Sequence, residues 1–146
     1  MADDAYFANT PLLLNCNGAD SSTTFTDLSY SPKTVTANGN AQVKVAQSVY
    51  GGASLRTDGT GDYLSVTSTT AFDFGLGDFT IEFWARFDSA TPAVNKVLIT
   101  KGYASAAAAS PWVIFQIPSG AVNFYASSAS ASWDVVSALQ LKAAPS

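Results

Sequence analysis

The sequence predicts an all-β fold of short antiparallel strands. Apolar and polar residues alternate with period two, turn residues break that alternation at short intervals, and helix signals are nearly absent. The clearest strand is residues 79–88. Phe79, Ile81, Phe83, Ala85 and Phe87 fall on one face, and Thr80, Glu82, Trp84, Arg86 and Asp88 on the other. Burying three phenylalanines and an isoleucine is worth about 2 kcal/mol per side chain, so the first face is the expected core face. Helical periodicity would scatter the same residues around a cylinder.

Further strands are expected at residues 11–16, 34–37, 41–45, 53–57, 63–66, 94–101, 112–117 and 121–126. Asn38-Gly39 suits a tight primed turn between two of them, because both central positions of such a turn favour positive φ. Pro118-Ser119-Gly120 does similar work between Ile117 and Ala121. Asp58-Gly59-Thr60-Gly61-Asp62 joins two more strands, with glycine where a left-handed conformation would strain other residues. Local pairing of sequential strands follows as an expectation. Residues 88–93 and 103–110 read as loops; the run Ala106 to Ala109 is too short to nucleate a helix.

Composition bounds the rest. A chain of 146 residues suits one domain, 47% hydrophobic and only 12% charged. The expected division is a domain over residues 1–137 and a C-terminal tail or linker over 138–146, which is small, polar and ends Ala-Ala-Pro-Ser. Net charge is −4, and the seven basic residues are scattered from Lys33 to Lys142, so no footprint for a phosphate backbone exists and nucleic acid is not an expected partner. No run approaches the roughly 20 apolar residues that span a bilayer. Residues 1–7 carry neither a basic nor an apolar leader region, so no secretory signal is read there and synthesis in the cytoplasm is the expectation.

Histidine is absent, which removes the commonest general base and metal ligand and the centre of a Ser-His-Asp triad. Cys16 is the only cysteine, so the chain alone builds neither a disulfide nor a cysteine zinc site, and the residue reads as a small buried hydrophobe. Glu82 is the only glutamate, and its same-face neighbours Thr80 and Trp84 are not carboxylates. The paired carboxylates of glycoside hydrolysis therefore have no local candidate, and no enzyme activity is expected.

Several motifs carry a family likeness. Gly51-Gly52-Ala53-Ser54-Leu55, Asp58-Gly59, Gly61-Asp62-Tyr63-Leu64 and Phe79-Thr80-Ile81-Glu82-Phe83-Trp84-Ala85-Arg86-Phe87 follow one another in the chain. Leu12-Leu13-Leu14 precedes Asn17-Gly18 near the start, and Val97-Leu98-Ile99 precedes Lys101-Gly102 later on. This layout resembles the concanavalin A-like lectin/glucanase superfamily in its laminin-G-like branch, over roughly residues 6–134. The resemblance implies an antiparallel two-sheet jelly-roll sandwich serving recognition or adhesion, often as part of a surface, secreted or viral fibre protein. The glucanases of that superfamily place Glu-x-Asp-x-x-Glu on one strand, and this chain lacks it. Modules of the laminin-G type also continue with further strands at the C-terminus. Their absence implies either a piece of a longer protein or sheet edges covered by another copy or another protein through strand addition.

The functional expectation is a non-catalytic adhesion module that binds glycans or neighbouring subunits at a virion surface, such as a phage tail fibre, or outside the cell. The alternative is a purely structural virion protein without a glycan ligand. Candidate ligand-binding residues are Trp84 with Glu82 and Arg86 as a sugar-stacking platform, and Tyr103, Trp112, Asn123, Tyr125 and Trp133 at strand ends or in loops. Against this, Trp84 reads as packing on neighbouring strands, Glu82 and Arg86 as an ordinary same-face ion pair, and Tyr125 with Asn123 as an amphipathic pair on the solvent face of a sheet. Asp58 and Asp62 form the natural pair for calcium, the one cofactor considered, although aspartate beside glycine is also ordinary turn chemistry. Asp20 and Asp27 read as polar loop residues.

Overall fold

A computed structural model of the chain describes residues 6–67, 69–74, 77–102, 111–128 and 132–143. The described residues form eight strands, every pair of them antiparallel, and no α-helix; two single 3-10 turns lie at Phe7–Asn9 and Thr70–Phe72. The chain groups into two compact units, Met1–Phe72 and Asp73–Ser146. Both are built of β structure, as the alternation predicts.

In the first unit, β1 (Val35–Asn38) pairs with β4 (Tyr63–Val66), and β2 (Gln42–Lys44) pairs with β3 (Ser54–Arg56). The Asn38-Gly39 turn forms, with Gly39 at φ 65° and the Ala41 N–H donating to the Asn38 carbonyl at 3.4 Å. The strands on either side of it do not pair with each other, contrary to expectation. They are consecutive stretches of one arm of a long hairpin, whose other arm holds β3 and β4, and the turn is the corner where that hairpin bends. Beyond the corner, Val43 and Ala53 are buried with Phe25, and Cys16, Val35, Ala37, Leu55 and Leu64 pack against them. Both two-stranded ribbons thus share one core. Cys16 is half-buried there, and burial pushes its thiol pKa up.

Residues 11–16 form no strand; a single bridge joins Leu14 to Asp27, and the Leu28 N–H donates to the Leu13 carbonyl at 2.8 Å. A side chain supplies what the missing ladder does not. The buried Asp27 carboxylate accepts from the N–H groups of Leu13 at 3.0 Å, Ser29 at 2.9 Å and Lys33 at 2.8 Å, and from Ser29 Oγ at 3.0 Å. Burial raises the pKa of this carboxyl, but the four donors together outweigh burial and hold it below its ordinary value. One charged group therefore binds three stretches of chain.

The second unit is a four-stranded sheet in the order β5 (Lys96–Lys101), β6 (Trp112–Gln116), β7 (Val122–Ala126), β8 (Val136–Lys142). The β6–β7 hairpin closes at Pro118-Ser119-Gly120 as expected, with Gly120 at φ 87° and its N–H donating to the Ile117 carbonyl at 2.8 Å. Alternation places Trp112 and Ile114 of β6 beside Val122 and Phe124 of β7 in a buried cluster, worth about 2 kcal/mol per side chain. Val113, Phe115 and Asn123, on the opposite face, are buried as well.

Two expectations need correction in this unit. Residues 79–88 belong to no strand ladder, although the predicted facing partly persists: Ile81 and Phe87 are half-buried against the cluster, and Phe79 stacks on Phe74. Period-two alternation reports which side chains seek burial, whereas a strand also needs a neighbour to bond. Conversely, the stretch from residue 138 read as a tail continues β8 as far as Lys142. Leu139 and Leu141 remain exposed in it, so backbone pairing with β7 holds this strand with little help from burial, and its sequence signal is correspondingly weak.

Replacing Asp27 by asparagine is expected to destabilise the protein by about 2–4 kcal/mol at pH 7, since bonds to a charged acceptor contribute about 1.5–3 kcal/mol each and several are weakened together. Folding lowers this carboxyl's pKa below its unfolded value of about 3.9, so its contribution is complete above that pH and is lost as pH falls through the lowered folded value. Urea unfolding at pH 7 and pH 3 checks both statements, because the asparagine variant is expected to show a flatter dependence across that window. At the hairpin corner, Gly39→Ala is expected to cost about 1–3 kcal/mol by the same measurement, since a Cβ there would collide with Asp62 Oδ1 and lie 2.7 Å from the Gly61 carbonyl at positive φ.

Candidate recognition surface

Residues 79–88 are pinned at both ends and solvent-exposed over residues 82–86. At the N-terminal end the Phe79 ring lies parallel to Phe74 with centroids 3.7 Å apart, Phe74 in turn stacks on Trp112 at 4.9 Å, and Phe79 sits 6.1 Å from Phe124. Just past the C-terminal end, the buried Gln116 amide donates through Nε2 to the Ala90 carbonyl at 2.9 Å. Ile81 and Phe87 anchor the run from beneath. Phe83 is nevertheless 45% exposed and Trp84 74% exposed.

Glu82, Trp84 and Arg86 are all exposed, as are Phe83 and Ala85 between them. An extended chain rises about 3.3 Å per residue, so roughly 13 Å of backbone separates Glu82 from Arg86. They form no ion pair with each other; among the described residues Lys44 pairs with Asp20 and Lys101 with Asp73, and neither Glu82 nor Arg86 has such a partner. Trp84 does not pack into a core as the structural reading expects. The row of an acid, an indole and a guanidinium is thus turned outward.

The remaining aromatic candidates separate. Trp112 is buried in the core cluster, paired across the sheet with Lys101 and Ala126. Tyr103 lies outside the described residues. Tyr125 stacks on Phe115 at 4.8 Å and meets Trp133 at 5.6 Å, and both Tyr125 and Trp133 are half-buried. Asn123 shares that face, opposite Phe115 in the ladder, but it is only 6% exposed and not on a solvent face, and its Oδ1 accepts no hydrogen bond among the described residues. Phe115 completes this aromatic row; it lies in the near-continuous apolar run of residues 112–117, and only the register of β6 on β7 puts it on the side of Asn123 and Tyr125.

The acidic candidates are engaged with N–H donors. Asp62 accepts from the Asn40 and Asp58 N–H groups, each at 2.8 Å, and Asp58 accepts from the Thr60 N–H at 2.7 Å and Asn40 Nδ2 at 3.0 Å. The Asn40 amide and the Thr60 N–H hold the Asp58 carboxyl below its ordinary pKa. These bonds close the hairpin corner. Asp20 is held low in the same way, first by Lys44 and then by the Val45 N–H. No group of three or more potential metal-ligating side chains comes together among the described residues. A shallow cleft beside Thr10, Pro11 and Thr70 contains Lys33, whose ammonium donates to the Pro11 and Ser31 carbonyls and lies 5.6 Å from the Phe72 ring centroid.

No protein family, curated protein or solved structure matches the chain. No described helix is long and apolar enough to cross a membrane.

An unmet buried acceptor destabilises the state that buries it. Asn123→Val is therefore expected to leave stability unchanged or raise it by up to about 1 kcal/mol, where truncation of a satisfied polar group would lower it. Chemical denaturation of the two proteins side by side decides this.

Proposed function

We propose that this chain is a non-catalytic recognition module of a larger surface assembly, and that residues 79–88 are its docking element. One observation carries the reading: a strand-like run, anchored at both ends, lies outside every ladder and presents Trp84, Glu82 and Arg86 outward. Extended polypeptide with open hydrogen-bonding edges recognises other strands, and an exposed aromatic flanked by charges is the side-chain composition of an interface centre. The laminin-G-like resemblance supports the same role, with a jelly roll whose sheets a neighbour completes. A virion fibre or comparable surface assembly suits a chain of low charge. The lack of histidine and the isolation of Glu82 from other carboxylates on its face support a non-catalytic role.

A glycan-binding reading rests on a different place. Tyr125 lies between Phe115 and Trp133, and the Asn123 acceptor beside them is unmet. Aromatic faces suit the apolar face of a pyranose, and an amide oxygen suits its hydroxyls. A glycan array with the wild type and Tyr125→Ala tests this separately.

The docking role makes the sharper prediction. Trp84→Ala is expected to keep the circular dichroism spectrum and to change stability by less than about 1 kcal/mol, as exposed positions do. Association with the assembly is expected to weaken at least tenfold, the consequence of truncating a central interface aromatic. Loss of the fold, or association unchanged from wild type, would overturn the assignment.

A further inference from the structure

We infer that the partner of residues 79–88 is the same segment of a second copy, paired antiparallel about a two-fold axis at Trp84. The inference rests on the docking role proposed above and deepens it. Symmetric dimers use one patch twice, so a self-pairing strand must complement itself. This one does so in a single register. With Trp84 facing Trp84, Glu82 of each copy stands opposite Arg86 of the other, which supplies two cross-strand ion pairs for charges that have no ion-pair partner among the described residues. Thr80 then faces Asp88, Ile81 faces Phe87, and Phe83 faces Ala85. These are a hydroxyl–carboxylate pair, a β-branched–aromatic pair and an aromatic–small pair, with no like charges in contact.

Neighbouring registers lack this complementarity. Centring on Glu82 sets glutamate against glutamate, and centring on Arg86 sets arginine against arginine. A centre at Ala85 puts Glu82 against Asp88. A centre at Phe83 leaves both Glu82 and Arg86 facing uncharged residues, and a parallel in-register pair opposes every charge with itself. Register in a strand pair is specified by side-chain matching across the ladder, and charge alone selects one arrangement here. The facing also agrees with the observed burial: Ile81 and Phe87 point to the core cluster in each copy, while Trp84, exposed in the single chain, is covered by its symmetry mate.

Light scattering and sedimentation of the full chain are expected to show a dimer. Glu82→Arg and Arg86→Glu each place like charges across the ladder, and each is expected to weaken self-association at least tenfold with an unchanged circular dichroism spectrum, since both side chains are exposed. An equimolar mixture of the two variants is expected to restore the dimer, because every facing pair in the mixed species is again of opposite sign. In a Cys16→Ser background, Trp84→Cys is expected to form an interchain disulfide on oxidation and Phe83→Cys is not, since only the two-fold position faces itself. A monomeric wild type, a dimer indifferent to either charge reversal, or a mixture that stays monomeric would overturn the second copy as occupant. If Trp84→Ala still impairs association with another component in that case, the docking role stands with a different partner; if it does not, both fall.

Discussion

Every residue of an extended chain carries an N–H and a C=O that need partners, and the supply of neighbouring strands is the constraint on which this structure depends. The ribbons of the first unit are only three or four residues long, too short to satisfy the segments around them. Carboxylates fill the gap. Asp27 gathers three backbone N–H groups and a hydroxyl, Asp62 and Asp58 gather three N–H groups and an amide at the hairpin corner, and Asp20 takes the Val45 N–H; in the second unit Asp134 does the same for Ser128. The acidic balance of the chain thus has a local use. These aspartates act as acceptors for backbone that strand pairing does not reach, and the lowered pKa of Asp27 reflects that work, while Asp20 is lowered first by Lys44 and Asp58 first by the Asn40 amide, with backbone N–H groups adding to both.

The two-strand corner shows how far such substitution goes. A hairpin bent between Asn38 and Gln42 loses its ladder where the arms turn, and the second arm carries extra residues there, as the registers Asn38↔Tyr63 and Gln42↔Arg56 require. Gly39 permits the carboxylate of Asp62 to approach the turn closely, and Asn38 Nδ2 bonds Ser65 Oγ across the arms at 3.0 Å. Packing then needs only a few buried side chains, Phe25, Val43 and Ala53, because the backbone is already closed by polar bonds.

The legibility of this fold in its sequence follows the same division. Positions of seven strands are readable from alternation and turn residues, including the hairpin at Pro118-Ser119-Gly120, since local patterning and turn chemistry act within a few residues. Partner choice is not local, so neither the split of β1 and β2 into different ribbons nor the isolation of residues 79–88 is visible. β8 is missed for the converse reason: with Leu139 and Leu141 exposed, it carries no burial pattern, only a neighbour. At the candidate site, the run of Glu82, Trp84 and Arg86 is legible as a set of candidate residues, while the exposure of Trp84 and Phe83 and the burial of Asn123 depend on what lies across from them.

The run at residues 79–88, outside the strand ladders, is also better prepared for binding than a loop of equal exposure. Ordering a free segment on association costs about 1–2 kcal/mol of backbone entropy per residue, enough to cancel a modest interface. Phe79 on Phe74, Ile81 and Phe87 on the core cluster, and Gln116 on the Ala90 carbonyl already hold the chain extended at both ends. Much of that entropy is therefore lost on folding and need not be lost again on docking. The same anchors that leave Trp84 exposed are what make its exposure useful, because a pre-ordered strand edge offers its hydrogen bonds and its charges in a fixed register.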